Sequence, residues 1–146
     1  KAREAGKNFL LIMSDLNGLK YVNDSFGHSE GDNLINTAAG LLSCTRISGA
    51  SCEKNFRIGG DEFVKAAYGD ITQQGIDEFR REIGEKVNIT NSTSCKPYPI
   101  YMPIGTCLRS PGDIPDCDKM LSSADEAMYA DKIRLKSVTG FDPKRK

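Results

Sequence analysis

One histidine, no Cys-x-x-Cys pair, no surplus of either charge and no apolar run of membrane-spanning length: the 146-residue chain narrows its own function first by what is missing. Lys+Arg and Asp+Glu both number 20, so the formal net charge is zero. That argues against a nucleic-acid polymer or an anionic membrane surface as partner, since both call for basic patches. A mononucleotide needs only a local pocket and remains compatible. No stretch approaches the roughly 18–20 apolar residues of a transmembrane helix, and no signal-peptide pattern is visible. The cysteines, Cys44, Cys52, Cys95, Cys107 and Cys117, are odd in number and lack metal-ligand spacing. A zinc site or disulfide framework is therefore not expected, and a reduced, cytoplasmic setting is. The Asn-x-Thr triplets at Asn88 and Asn91 then read as a polar loop. Repeats, linkers and low-complexity segments are absent as well, and the length suits one domain with a real core.

What is present centres on residues 57–63, Arg-Ile-Gly-Gly-Asp-Glu-Phe. Two glycines lie between an apolar approach (Phe56, Ile58) and adjacent carboxylates (Asp61, Glu62), followed by Phe63 and Val64. This is the pattern of a β-hairpin with acids at its tip. Glycines there are expected to supply positive φ and to let phosphates approach the backbone with no Cβ in the way. Taken alone, the pattern also fits an ordinary hairpin with a solvated acidic tip. Upstream, Leu10-Leu11-Ile12-Met13-Ser14-Asp15 reads as a buried strand ending in a carboxylate. If the two strands are neighbours, Asp15 and Asp61 converge. Paired carboxylates of this kind hold a divalent cation, Mg²⁺ or Mn²⁺, that handles phosphate.

Period and punctuation predict the remaining elements. A strand covers 8–15, and a short helix runs from Lys20 to Phe26 and stops at Gly27. A second helix starts with Ser29 as N-cap and Asp32 three residues on, and carries Leu34, Ile35, Ala38, Leu41 and Leu42 on one face. The hairpin takes 55–58 and 62–68. Ile76, Phe79, Ile83 and Val87 mark a third helix, with a polar loop over 88–97. A strand within 98–108 must be an edge or irregular, given Pro97, Pro99 and Pro103. The last helix runs from about Asp116 to Lys136, with core-filling Met120, Ala124, Ala127 and Met128, and Val138–Phe141 closes with a short strand. The order β-α-α-β-β-α-β-α-β predicts an α+β sheet covered by helices.

Four separated stretches resemble the GGDEF domain, the catalytic domain of diguanylate cyclases. They are Asp15 to Lys20 with Asn23 and Asp24; Phe26, Gly27 and His28 with Gly31 and Asp32; Arg57 through Phe63; and Ala124 and Asp125 with Ala127, Met128, Tyr129 and Lys132. The resemblance implies a ferredoxin-like, palm-type antiparallel sheet of the nucleotidyl cyclase kind. It implies condensation of two GTP into cyclic di-GMP, with release of pyrophosphate, between two copies of the domain. The domain is expected in the cytoplasm, whether or not its parent protein is membrane-anchored, and a sensory or regulatory domain is expected elsewhere in that parent. Family members carry an earlier helix and turn that do not precede Lys1, so the chain is expected to be a piece of a larger protein.

By the same resemblance, Asp15, Asp61 and the carbonyl of Leu16 hold the divalent metals. Glu62 is either a further ligand or a help in deprotonating the 3′-hydroxyl. Asn23 and Asp32 read guanine, and Lys20, Lys132, Lys136, Gly59 and Gly60 meet the phosphates. Asp32 also has a bland reading as a helix-capping acid, and His28 is expected to hold a local turn. Several positions depart from the family pattern. Asn17 replaces a common Asp, Leu19 a Phe and Pro103 a Ser, while Lys136 stands where Arg is usual and loses its bidentate fork. The product-inhibition motif, Arg-x-x-Asp, is matched by Ala50 and Glu53, so no product-inhibition site is expected. Two rival readings remain. One is a catalytically weak or silent module binding GTP or a cyclic dinucleotide. The other is a class III-type purine nucleotide cyclase, disfavoured by the intact Gly-Gly-Asp-Glu-Phe.

Overall fold

A computed structural model describes residues 7–110 and 116–139. Four strands form one antiparallel sheet: β1 (Asn8–Asp15), β2 (Ala50–Arg57), β3 (Glu62–Gly69) and β4 (Ile104–Arg109). Their spatial order is β2-β3-β1-β4, which puts β1 at the centre, between β3 and β4. The helices are α1 (Leu19–Phe26), α2 (His28–Cys44), α3 (Gln73–Thr93) and α4 (Cys117–Thr139).

Strand side chains alternate between the two faces, and the core divides accordingly. Leu10, Ile12, Phe63 and Ala67 pack against α1, α2 and α3 through Val22, Leu34, Leu42, Ile76, Phe79 and Ile83. Leu11, Met13 and Val64 face α4 and bury Met120, Ala124 and Met128. Helices thus cover both faces of an antiparallel-centred sheet, the α+β architecture expected. No helix of the described residues is long and apolar enough to cross a membrane.

Two local expectations are corrected, the loop over 88–97 and the strand from Val138, and the one for 98–108 is narrowed. The loop expected over 88–97 is largely helical, because α3 continues to Thr93. The hydroxyls of Thr90, Ser92 and Thr93 donate back to carbonyls one turn earlier, and the Asn91 amide bonds both backbone groups of Ile100. Tertiary docking therefore outweighs the weak helix propensity of this polar run. The strand expected within 98–108 forms only from Ile104, beyond the last proline, and it is an edge strand. The closing strand does not begin at Val138, which is in α4; residues 140 and 141 lie outside the described residues.

A buried charge network was not foreseen. Lys65 on β3 points into the face lined largely by apolar side chains and is fully buried. Its ammonium lies 3.1 Å from Glu53 Oε1 and donates to the Leu42 carbonyl and Asn55 Oδ1. Glu53 in turn accepts from Arg46 Nε and from the Ile47 amide. All three ammonium donors are used, which is what makes a buried lysine tolerable.

Candidate active site

The central strand β1 delivers Asp15 to the end of the sheet, where it pairs in register with Glu62. One residue on, the Leu16 amide donates to the Asp61 carbonyl at 2.8 Å. This bond ties the hairpin tip to the end of β1, and Asp15 and Asp61 line the same cleft. The tip itself spans Ile58–Asp61. The amides of Ile58 and Gly59 both reach the Glu62 carbonyl, and the Arg57 guanidinium clamps the carbonyls of Gly59 and Gly60. One expectation fails here, since neither Gly59 nor Gly60 has positive φ. A four-residue connection turns the chain without a left-handed residue. What the glycines provide is space: a Cβ on Gly60 would meet nothing within 4 Å.

Asp15 is ionisable, largely desolvated and asymmetrically used. Its Oδ2 accepts from Lys132 Nζ at 2.8 Å, whereas Oδ1 is buried with no hydrogen-bond partner. Burial pushes the carboxyl above its usual range; the Lys132 ammonium opposes this, and the neighbouring Asp61 carboxyl adds to it. A buried, unpartnered carboxylate oxygen is costly, and it needs a donor or a cation. Lys132 is positioned by the docking of α4 on β4. Gly105 permits that close approach, because a Cβ there would run into the Ala124 carbonyl and the Met128 amide. Asp131, next to Lys132, accepts from the Ile104 amide at 2.7 Å and fixes the helix in rotation.

The cleft has a volume of about 640 Å³. Besides Asp15, Asp61 and Lys132 it is lined by Leu16, Asn17, Gly18, Leu19, Lys20 and one face of α1. Gly18 takes φ of 85° as the helix N-cap, the left-handed conformation that favours glycine. The first amides of α1 lack intrahelical acceptors, so the helix start offers donors and a positive dipole end to an anion.

The other expected site residues fall into two groups. Lys20 lines the cleft and is exposed; Leu16 is buried, and its carbonyl belongs to the same segment. Asn23 and Asp32 stand outside the lining, on the neighbouring α1 and α2. The capping alternative for Asp32 does not hold. The N-cap of α2 is Gly27 rather than Ser29, no side chain caps it, and Asp32 lies beyond the first turn with its side chain exposed. Glu62 does not line the cleft; its carboxylate lies over the turn, where a Cβ on Gly59 would sit 3.0 Å from Oε2. Lys136 lies one helical turn past Lys132, also outside the lining. Glu53 is occupied by the buried network and faces inward.

Tyr21 and Ser25 also line the cleft and were missed. Helical spacing carried the signal, since 20, 21, 24 and 25 share one face of α1. Among the described residues no cluster of three or more His, Cys, Asp or Glu side chains could hold a metal alone. Two carboxylates and a backbone carbonyl are nonetheless hard oxygen donors. They suit a cation that takes its remaining ligands from phosphate and water.

Residues 1–137 match the family described as Diguanylate cyclase, GGDEF domain. The chain is 34% identical over 140 residues to the signaling protein YkoW of Bacillus subtilis, covering 89% of this chain and 16% of that protein. It is 26% identical over 133 residues to diguanylate cyclase DgcS of Shewanella oneidensis, covering 91% of this chain and 42% of that one. The chain therefore spans less than half the length of these two relatives. Its fold superposes on the GGDEF domain of DgcB from Caulobacter crescentus, solved in complex with c-di-GMP. There the TM-score is 0.75 and the identity 26%, over 91% of this chain and 77% of that one. With the family match spanning nearly the whole chain and the same fold beneath it, this protein belongs to the GGDEF domain family.

Proposed function

We propose that the domain is a metal-dependent diguanylate cyclase, which condenses two GTP into cyclic di-GMP at the interface of two copies. The observation that carries this reading is the cleft itself. It gathers Asp15, with an unpartnered buried oxygen, beside Asp61, Lys132 and the start of α1. The relatives named as diguanylate cyclases and the c-di-GMP complex of a similar domain supply the chemistry.

Each copy would hold one GTP. The 3′-oxygen of each nucleotide attacks the α-phosphorus of the other and gives up its proton to water. The bond from the α-phosphorus to the α–β bridging oxygen breaks, and pyrophosphate leaves with that electron pair. Asp15, Asp61 and the Leu16 carbonyl would hold Mg²⁺ or Mn²⁺, which when bound neutralises charge developing on the phosphates. The α1 amides, Lys20 and Lys132 would bind the triphosphate, with Lys132 moving from Asp15 to a phosphate oxygen. The open space over Gly60 admits phosphate close to the backbone. Asn23 and Asp32 would hydrogen-bond the guanine edge. Since no group of three or more His, Cys, Asp or Glu side chains among the described residues could hold a metal alone, the metal is expected to arrive with the nucleotide and to bind weakly without it. A regulatory domain in a longer parent protein fits the multidomain length of the relatives.

One observation favours a second reading, a GTP- or cyclic-dinucleotide-binding module with little turnover: Asn17 lines the cleft with an amide where a third acid is common in the family. A single experiment separates the two. The domain, at high concentration, is incubated with GTP and Mg²⁺, and the nucleotides are analysed. The enzyme produces cyclic di-GMP and pyrophosphate at a rate that rises faster than linearly with protein, and Asp61→Ala abolishes it. Nucleotide binding without product at any protein concentration refutes the enzyme and leaves the module.

A further inference from the structure

We infer that Gly31 is a positioning residue for base selection: it is a notch in α2 that seats the side-chain amide of Asn23. This rests on the reading above that Asn23 contacts guanine. Gly31 is buried at the start of α2, and its φ is not in the left-handed region, so the backbone does not require glycine there. The space does. A Cβ built on Gly31 would lie 1.7 Å from Asn23 Oδ1 and 2.7 Å from Asn23 Cγ. These are the closest atoms to it, so the notch is filled by one group, the Asn23 carboxamide, from the facing helix α1.

The chain pays for this with helix propensity. Glycine inside a helix costs about 1 kcal/mol relative to alanine, and the second glycine in α2, Gly40, has open space around its missing Cβ. Gly31 differs because any side chain would evict the amide. The junction between the helices fixes where that amide sits. The Gly27 amide donates to the Asn23 carbonyl, and the Gly31 amide to the Gly27 carbonyl, so Asn23, Gly27 and Gly31 form one continuous backbone relay. Asp32 follows Gly31 directly on α2. Seating Asn23 on Gly31 therefore sets the amide at a constant offset from the backbone that carries the Asp32 side chain. A pair of groups that must read two edges of one planar base needs such an offset, because a displacement of about 1 Å loses much of a hydrogen bond's value.

The test compares binding of non-hydrolysable GTP and ATP analogues with Mg²⁺, by calorimetry, in four proteins: unmodified, Gly31→Ala, Asn23→Ala and Asn23→Ala/Gly31→Ala. Thermal unfolding is recorded alongside. Gly31→Ala should lose about tenfold or more of the preference for GTP while keeping its affinity for the ATP analogue, which rests on the triphosphate. The double variant has room for the methyl group. It should unfold at or above the temperature of Asn23→Ala and show the same low preference, with no further loss. A Gly31→Ala protein that keeps the full preference for GTP overturns the role of Gly31 alone. A double variant less stable than Asn23→Ala also overturns it, since the notch would then hold something other than the amide, and this comparison stands even if Gly31→Ala does not fold. Equal affinity of the unmodified protein for both analogues would instead refute the base-reading role of Asn23 on which the inference depends.

Discussion

Replacing Asp15 by Asn should make the domain more stable and inactive at once. Three effects act on this carboxyl. Burial disfavours its ionised form, the Lys132 ammonium at 2.8 Å favours it, and Asp61 disfavours it again. Burial is the largest and the net direction is upward. Folding therefore prefers the protonated acid. The contribution of Asp15 to stability is fully present below the ordinary carboxyl range and is lost as pH rises through the raised folded value. At pH 7–8 the residue is a net cost. Asparagine removes the charge, keeps an oxygen for Lys132, and adds two N–H donors beside the Asp61 carboxylate. The ion pair surrendered is partly exposed, at 36% and 16% of the two side chains, and is worth little. The expected gain is roughly 0.5–2 kcal/mol, or about 2–4 °C in Tm per kcal/mol for a chain of this size. Urea unfolding at pH 7.5 with chelator measures it, and the gap should close toward acid pH. Adding GTP analogue and Mg²⁺ should reverse the order. At 100 times Kd the unmodified protein gains about 2.7 kcal/mol, and the variant much less. An Asn variant destabilised by more than about 0.5 kcal/mol without ligand would refute the reasoning, because Lys132 would then outweigh burial.

Glu53→Ala should cost about 3–5 kcal/mol in urea unfolding, since it strands the buried Lys65 ammonium. Glu53→Leu/Lys65→Leu should recover most of that loss, and a double variant no more stable than the single one would contradict a coupled pair. Asp61→Ala should abolish turnover and change stability by no more than about 0.5 kcal/mol, as expected of a partly exposed hairpin-tip acid; circular dichroism and thermal unfolding check the fold. Cyclic di-GMP, titrated by calorimetry with the active site blocked by GTP analogue, should show no tight binding at residues 50–53. Ala50 has no donor to offer, and the Glu53 oxygens are spent on Lys65, Arg46 and the Ile47 amide. Micromolar binding that disappears in Glu53→Gln would contradict this.

The sheet and helices were legible where a repeating pattern exceeds local noise. β1 carries an unbroken apolar run from Phe9 to Met13 and was placed to the residue, and α2 shows its stripe at helical spacing, so its start fell within two residues. Errors gathered where a distant partner decides the local structure. The polar run after Val87 reads as loop until Asn91 is seen holding Ile100. Ser29 reads as an N-cap until Gly27, at φ of 93°, is seen to start the helix instead. Lys65 is given no role by the sequence. Only the pairing of β2 with β3, which sets Asn55 opposite Lys65 and brings Glu53 near, shows that it points inward.

The candidate site divides along the same line. Asp15 and Asp61 could be paired from sequence because strand ends and hairpin tips are local features, and adjacency of two strands is a small further step. The unequal use of the two Asp15 oxygens could not. It depends on where α4 comes to rest, and that is set by the absence of a side chain at Gly105 and by one hydrogen bond to Asp131. A larger residue at 105 would lift α4 from the sheet and withdraw Lys132 from Asp15 without touching either. Residues that bear charge announce themselves in a sequence. Residues that work by leaving room, Gly105 under α4 and Gly31 under Asn23, become visible only when the atoms that would collide with them are known.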